Sequence, residues 1–141
     1  FVPSTYDINI SRIKIWEFAL DTIIKNPIFG SGSSFPNILE AKTGFWRGHT
    51  HNLPLEIMVS YGIPASLFIL TPITKLIIKS YEAVFINKHS FFRENLIDRA
   101  WITSIILLAF SHCVDIQYFD GRISIAGWIL LAGSSQIIKK I

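Results

Sequence analysis

Residues 57–74 carry no charged side chain, and with Lys75 reaching back toward a surface the apolar run extends to Ile78. About 18–20 apolar residues are enough to cross a bilayer as a helix, so the pattern predicts a transmembrane helix over 53–79. Pro64 and Pro72 fall inside it. They predict kinks, which membranes tolerate when neighbours satisfy the freed carbonyls. Two further apolar runs, 100–114 and 123–138, predict spans over 99–114 and 123–138. Both are short, and Arg99 and Lys139-Lys140 would lengthen them by snorkelling. The first fifty residues differ. In "SRIKIWEFALDTIIKNP", Ile13, Trp16, Leu20, Ile23 and Ile24 recur at helical spacing, with Arg12, Lys14, Glu17, Asp21 and Lys25 mostly elsewhere. This predicts an amphipathic helix over about 11–26, capped by Ser11 and stopped at Asn26-Pro27. It would lie on the membrane or on other helices. The following "NPIFGSGSSFPN" reads as an ordered turn, because Gly30 and Gly32 adopt angles other residues resist and Phe29 and Phe35 flank them. Ser34-Phe35-Pro36 would open a short second helix running to Ala41.

Charge gives these spans a direction. The segment 80–98 and its borders carry Lys75, Lys79, Lys88, Arg93 and Arg99, and the tail 139–141 carries Lys139 and Lys140. The loop 115–122 has Asp115 and Asp120 against Arg122 alone. The positive-inside rule then places 80–98 and 139–141 in the cytoplasm, and 115–122 with all of 1–52 outside. Three crossings satisfy this alternation and two do not. The expected fold is all-α and integral to the membrane, with about three transmembrane helices preceded by an extracytoplasmic amphipathic-helix loop.

Composition agrees. Half the residues are hydrophobic, only 16% are charged, and the mean hydropathy is +0.44, which is too little charge for an ordinary soluble domain of this length. The net charge of +3 follows the loops, and nucleic acid is not an expected partner. The single Cys113 excludes a disulfide within the chain. Phe1-Val2-Pro3-Ser4 has neither the basic nor the apolar region of a signal peptide. Without an initiator Met the chain reads as a fragment of a larger polytopic protein.

The candidate chemistry gathers in "GFWRGHTHNLPLE". His49 and His51 form an H-x-H pair, a spacing found in some zinc sites, but a zinc site needs further ligands. His89 falls in the cytoplasmic loop and Cys113 within a span, while His112 and Asp115 lie on the correct side. The pair alone is a weak signal, and no metal is expected. A general-base reading needs less, since one neutral histidine can take a proton from a hydroxyl near neutral pH. Arg47 would hold an anionic group beside it, its planar fork suiting phosphate. Arg12, at a helix N-terminus where free amides favour anions, is a second candidate. The plainer reading also stands: histidine, asparagine and arginine commonly cap helices or sit at membrane interfaces. Trp16, Trp46, Trp101 and Trp128 read as interface anchors or core rather than as sugar-stacking platforms. Glu56 suits a helix N-terminus, and His112 and Asp115 either orient one another or cap a span.

Taken in order, "SRIKIW", "NPIFGSG" and "HTHNLPLEIMVSYGIP" resemble the C-terminal module of the O-antigen ligase and polymerase superfamily. Arg12, Trp16, Asn26, Pro27, Gly30, Gly32, His51, Asn52 and Gly62 occupy the positions of its pattern. "SHCVD" and "GWILLAG" resemble the family's last two spans. The ligases often carry Gly, Thr or Tyr three residues after the helix glycine, where this chain has Ala65. The resemblance implies a glycosyltransferase of the bacterial inner membrane, working on its periplasmic face. Its donor would be a glycan on a polyprenyl diphosphate, and its acceptor a hydroxyl of a glycan, lipid or protein. It implies no cofactor and no metal. His51 would activate the acceptor hydroxyl, and Arg47 and Arg12 would neutralise the departing diphosphate. Asn52 would fix the turn or orient His51, with His49 beside the substrate, and Gly62 would permit close helix packing. The family carries many upstream spans, so this chain alone would be inactive. Two rival readings are a transporter subunit and a non-catalytic membrane assembly component. Polar residues deep in the spans would favour transport, and the first span offers only a few, Ser60, Ser66 and Thr71 among them.

Overall fold

A computed structural model describes residues 12–44, 48–86, 96–116 and 119–139. Among them all regular structure is helical: α1 (Arg12–Lys25), a 3₁₀ turn (Gly32–Ser34), α2 (Phe35–Thr43), α3 (Leu53–Tyr81), a π-helical turn (Glu82–Ile86), α4 (Leu96–His112) and α5 (Gly121–Lys139). The expected cap Ser11, and Trp46, Arg47, Lys88, His89, Arg93 and Lys140, lie outside the described residues. The chain divides into two compact units, Phe1–Ser66 and Leu67–Ile141.

In the first unit α1 and α2 pack with the start of α3. Ile15, Ala19 and Ile23 of α1, Phe35 and Leu39 of α2, and Val59 of α3 form the core, with Phe18, Leu55 and Met58 against it. The buried face of α1 is not the stripe expected from spacing. Ile23 belongs to both, but Ile13, Leu20 and Ile24 are 63%, 50% and 76% exposed. The apolar residues of α1 wrap more than half its circumference, and Phe35, Leu39 and Val59 select the arc centred on Ile15 and Ala19. At the rim Lys25 donates to Asp21 at 2.5 Å, with Lys42 of α2 at 3.7 Å. The Lys25 hydrogen bond holds the Asp21 carboxyl below its ordinary range. Gly44, in the left-handed region at φ +73°, ends α2 by donating its N–H to the Glu40 carbonyl.

In the second unit α4 and α5 form an antiparallel pair. Trp101 donates its indole N–H to the Leu130 carbonyl at 2.9 Å, and its ring occupies the space a side chain at Gly133 would need. Further along, Leu108 lies on Gly127. Val84, Ile102 and Ile137 make a small core. His112 is buried with Nδ1 2.8 Å from the Leu108 carbonyl, and Asp115 accepts the Ile116 N–H at 2.9 Å.

Among the described residues one helical stretch, Leu53–Ile86, is long and apolar enough to cross a membrane. The other two expected spans fall short of that measure. The α4 helix has 17 residues and begins around Asp98 and Arg99. The α5 helix has 19 residues, but Gly133, Ser134, Ser135 and Gln136 lower its hydropathy.

Candidate active site

The helix α3 begins at a well-built cap. Asn52 Oδ1 accepts the Leu55 N–H at 3.0 Å and its carbonyl accepts the Glu56 N–H at 2.9 Å, the arrangement of an N-cap asparagine. Pro54 sits within the first turn, where its missing N–H removes no helical bond.

Just before the cap, Thr50 is wholly buried and bonded on every polar group. Its carbonyl accepts the indole N–H of Trp16 at 2.9 Å. Its N–H donates to Glu56 Oε2 at 2.8 Å, and its hydroxyl donates to the Asn52 carbonyl at 2.9 Å. One side chain from α1 and one from α3 thus grip both ends of one residue. His49 and His51 flank it, and both are partly exposed. His51 is the one described non-glycine residue at positive φ, +55°. That conformation costs about 1–2 kcal/mol, although histidine visits it more readily than most residues. Its N–H approaches His49 Nδ1 at 3.3 Å, and the two rings stand edge to face with centroids 4.3 Å apart. With Nδ1 accepting, a neutral His49 carries its proton on Nε2.

A second junction holds this unit together ten residues further on. An unbroken helix would bond the Ile63 N–H to the Val59 carbonyl four residues back. At Gly62 the backbone leaves the helix (φ +82°, ψ 171°), and that rung is exchanged. Ile63 N–H donates to the Pro27 carbonyl at 2.8 Å, while the Val59 carbonyl accepts the N–H and hydroxyl of Ser31 at 2.7 and 2.9 Å. The Asn26–Ser31 turn is therefore inserted into the hydrogen-bond ladder of α3. Two glycines make the approach possible. A Cβ at Gly30 would lie 2.6 Å from the Ser60 carbonyl carbon, and one at Gly62 would lie 2.5 Å from that of Ile28. Pro64 follows the break in the first turn of the resumed helix, which explains why it costs no rung. The break that spacing assigned to proline belongs to glycine, and the backbone stays helical at Pro72.

The structure thus brings Trp16, His49, His51 and Asn52 to one loop, and Asn26, Pro27 and Gly30 to Gly62. Asn26 ends α1 with its N–H on the Thr22 carbonyl and its own carbonyl on the Gly30 N–H, both at 3.0 Å. Gly32, at φ +60° with open space around it, starts the 3₁₀ turn. Arg12 is the first residue of α1, exposed, and one turn before Trp16, so both lie on the loop side of that helix. Thr50, Glu56, Ser31 and Val59 are supporting residues that motif reading missed. Glu56 alone carried a signal, as an acidic residue in a first helical turn.

No curated protein and no solved structure matches the chain. A family model described as O-antigen ligase matches residues 4–70. That stretch contains the gripped histidine loop, the inserted turn and the broken helix, and over it the chain is similar to the O-antigen ligase family.

Proposed function

We propose that the chain is the acceptor-activating module of a membrane glycosyltransferase. The enzyme would move a glycan from a polyprenyl diphosphate to an acceptor hydroxyl at the periplasmic face of the bacterial inner membrane. One observation carries the reading. Trp16 and Glu56 hold Thr50 from both sides and so present His51, in a left-handed conformation and partly open to solvent, at the start of the apolar helix. Backbone strain held in place by surrounding bonds is common where a side chain must be aimed.

In this mechanism the acceptor oxygen attacks the anomeric carbon of the donor's first sugar. The bond from that carbon to the diphosphate oxygen breaks with its electron pair, and His51 takes the hydroxyl proton. The leaving group is the polyprenyl diphosphate, and Arg12 on the loop side of α1, with Arg47, offsets the charge that develops on it. His49 stands against the His51 ring and restricts its orientation, and Asn52 anchors the loop to α3. The residues 1–52 and 115–122 would lie outside, and 80–98 and 139–141 in the cytoplasm.

The test uses the full-length protein in membranes, with a lipid-linked glycan and its acceptor. General-base catalysis contributes about 10²–10⁴-fold. His51→Ala should therefore cut transfer by roughly 100-fold or more while the protein still accumulates in the membrane. Near-normal transfer by that variant would rule the proposal out.

A further inference from the structure

The inserted turn has a consequence for where the first unit meets the bilayer. Its bonding partners, Val59 and Ile63, and the glycine it abuts, Gly62, all lie within residues 57–74, the stretch without a charged side chain. The turn must therefore share the depth of that stretch. Exposure along α3 changes at the same place. None of residues 53–60 is exposed, whereas Tyr61, Ile63, Leu67, Phe68 and Ile69 are. On the turn itself Ile28 is 61% and Phe29 86% exposed, and Ile24, in the last turn of α1, is 76% exposed. Meanwhile three backbone hydrogen bonds tie the turn to the protein: Gly30 N–H on the Asn26 carbonyl, Ser31 N–H on Val59, and the Pro27 carbonyl on Ile63. Pro27 has no N–H to satisfy. Each backbone group met by protein lowers the cost of holding a non-helical segment close to lipid.

We propose that this turn is a lipid-seated wedge, with Ile24, Ile28 and Phe29 inserted into the outer leaflet beside α3. The partner is the acyl and headgroup boundary of the bilayer. Aromatic and aliphatic side chains at that boundary anchor a segment by the apolar area they remove from water. Lys25, paired with Asp21, would lie at the headgroups. The wedge holds the unit carrying His51 against the leaflet in which a polyprenyl chain is dissolved. The inference rests on the reading of α3 as a membrane span, and its test separates the two.

The full-length protein, with Cys113 and any other cysteine replaced by serine, is given single cysteines by Phe29→Cys, Phe68→Cys or Asn37→Cys. Each variant carries a nitroxide and is reconstituted into vesicles of phosphatidylethanolamine and phosphatidylglycerol. All three positions are exposed, so the substitutions leave the core intact. Collisions with oxygen, which partitions into lipid, are compared with collisions with a water-soluble nickel chelate. The expected result is an oxygen-to-nickel ratio several-fold higher at positions 29 and 68 than at 37 on α2. A high ratio at 68 with a low one at 29 would overturn the wedge and leave the span intact. Low ratios at both would overturn the span and the wedge together. Poor access of both reagents at 29 would show protein rather than lipid covering the turn, and would also overturn the wedge.

Discussion

Gly62 and Gly32 both sit at positive φ, but their surroundings separate them. At Gly62 an added methyl meets the Ile28 carbonyl as well as the backbone strain, while Gly32 has open space. Gly62→Ala should lower stability by about 2–5 kcal/mol, and Gly32→Ala by about 1–2 kcal/mol. Denaturant unfolding of the purified protein in detergent measures both, and equal costs would mean that the inserted turn does not press on α3. At Thr50 the indole bond is the handle: Trp16→Phe keeps an aromatic ring, though a smaller one, and removes the donor. The loss should be about 1 kcal/mol of stability, with a fall in transfer larger than that loss explains, because the loop is no longer held. The motif residues were legible as positions, since His51, Asn52, Trp16 and Gly62 all stand out in the pattern. Their reasons were not. That Trp16 reaches a backbone carbonyl 34 residues away depends on how α1 lies against α3, which no local spacing encodes.

At the level of elements, α1 and α3 behave differently from their apolar patterns. A helix apolar on more than half its circumference does not declare its buried face, and α2 and α3 decide it. Ile15→Ala, at a 1% exposed position, should cost about 2–5 kcal/mol. Ile13→Ala, 63% exposed, should cost well under 1 kcal/mol by the same measure of lost burial. Thermal unfolding distinguishes them, and the reverse order would restore the stripe suggested by spacing. The existence of α3 was readable, because residues 57–74 carry no charge and Lys75 extends the run to Ile78. Its internal break was not, since a helical glycine and a glycine that ends a rung look alike until the Pro27 and Ser31 partners are known. Glu56 links this element to the loop. Glu56→Gln keeps an acceptor for the Thr50 N–H and should retain most transfer, whereas Glu56→Ala should lose it in kcat more than in KM. Equal shifts in both parameters would mean that the carboxylate only stabilises the fold.

Over the whole molecule, the family match and the first compact unit nearly coincide, residues 4–70 against Phe1–Ser66. The shared pattern is thus a folded module, in which one loop carries the histidines and a distant turn is bonded into the helix that follows. Three spans were expected, and among the described residues one helical stretch qualifies by length and hydropathy. In α4 and α5 the Trp101–Gly133 contact uses small residues that bring two helices close, a device common between membrane helices that also dilutes the hydropathy by which spans are recognised. On the proposed mechanism this module exists to aim His51. The most direct test is the rate of glycan transfer by the full-length enzyme and its His51→Ala and His49→Ala variants, each shown to be folded and membrane-inserted. His51→Ala should lose roughly 100-fold or more, and His49→Ala much less. Transfer by His51→Ala at close to the unmodified rate would contradict a general-base role for His51.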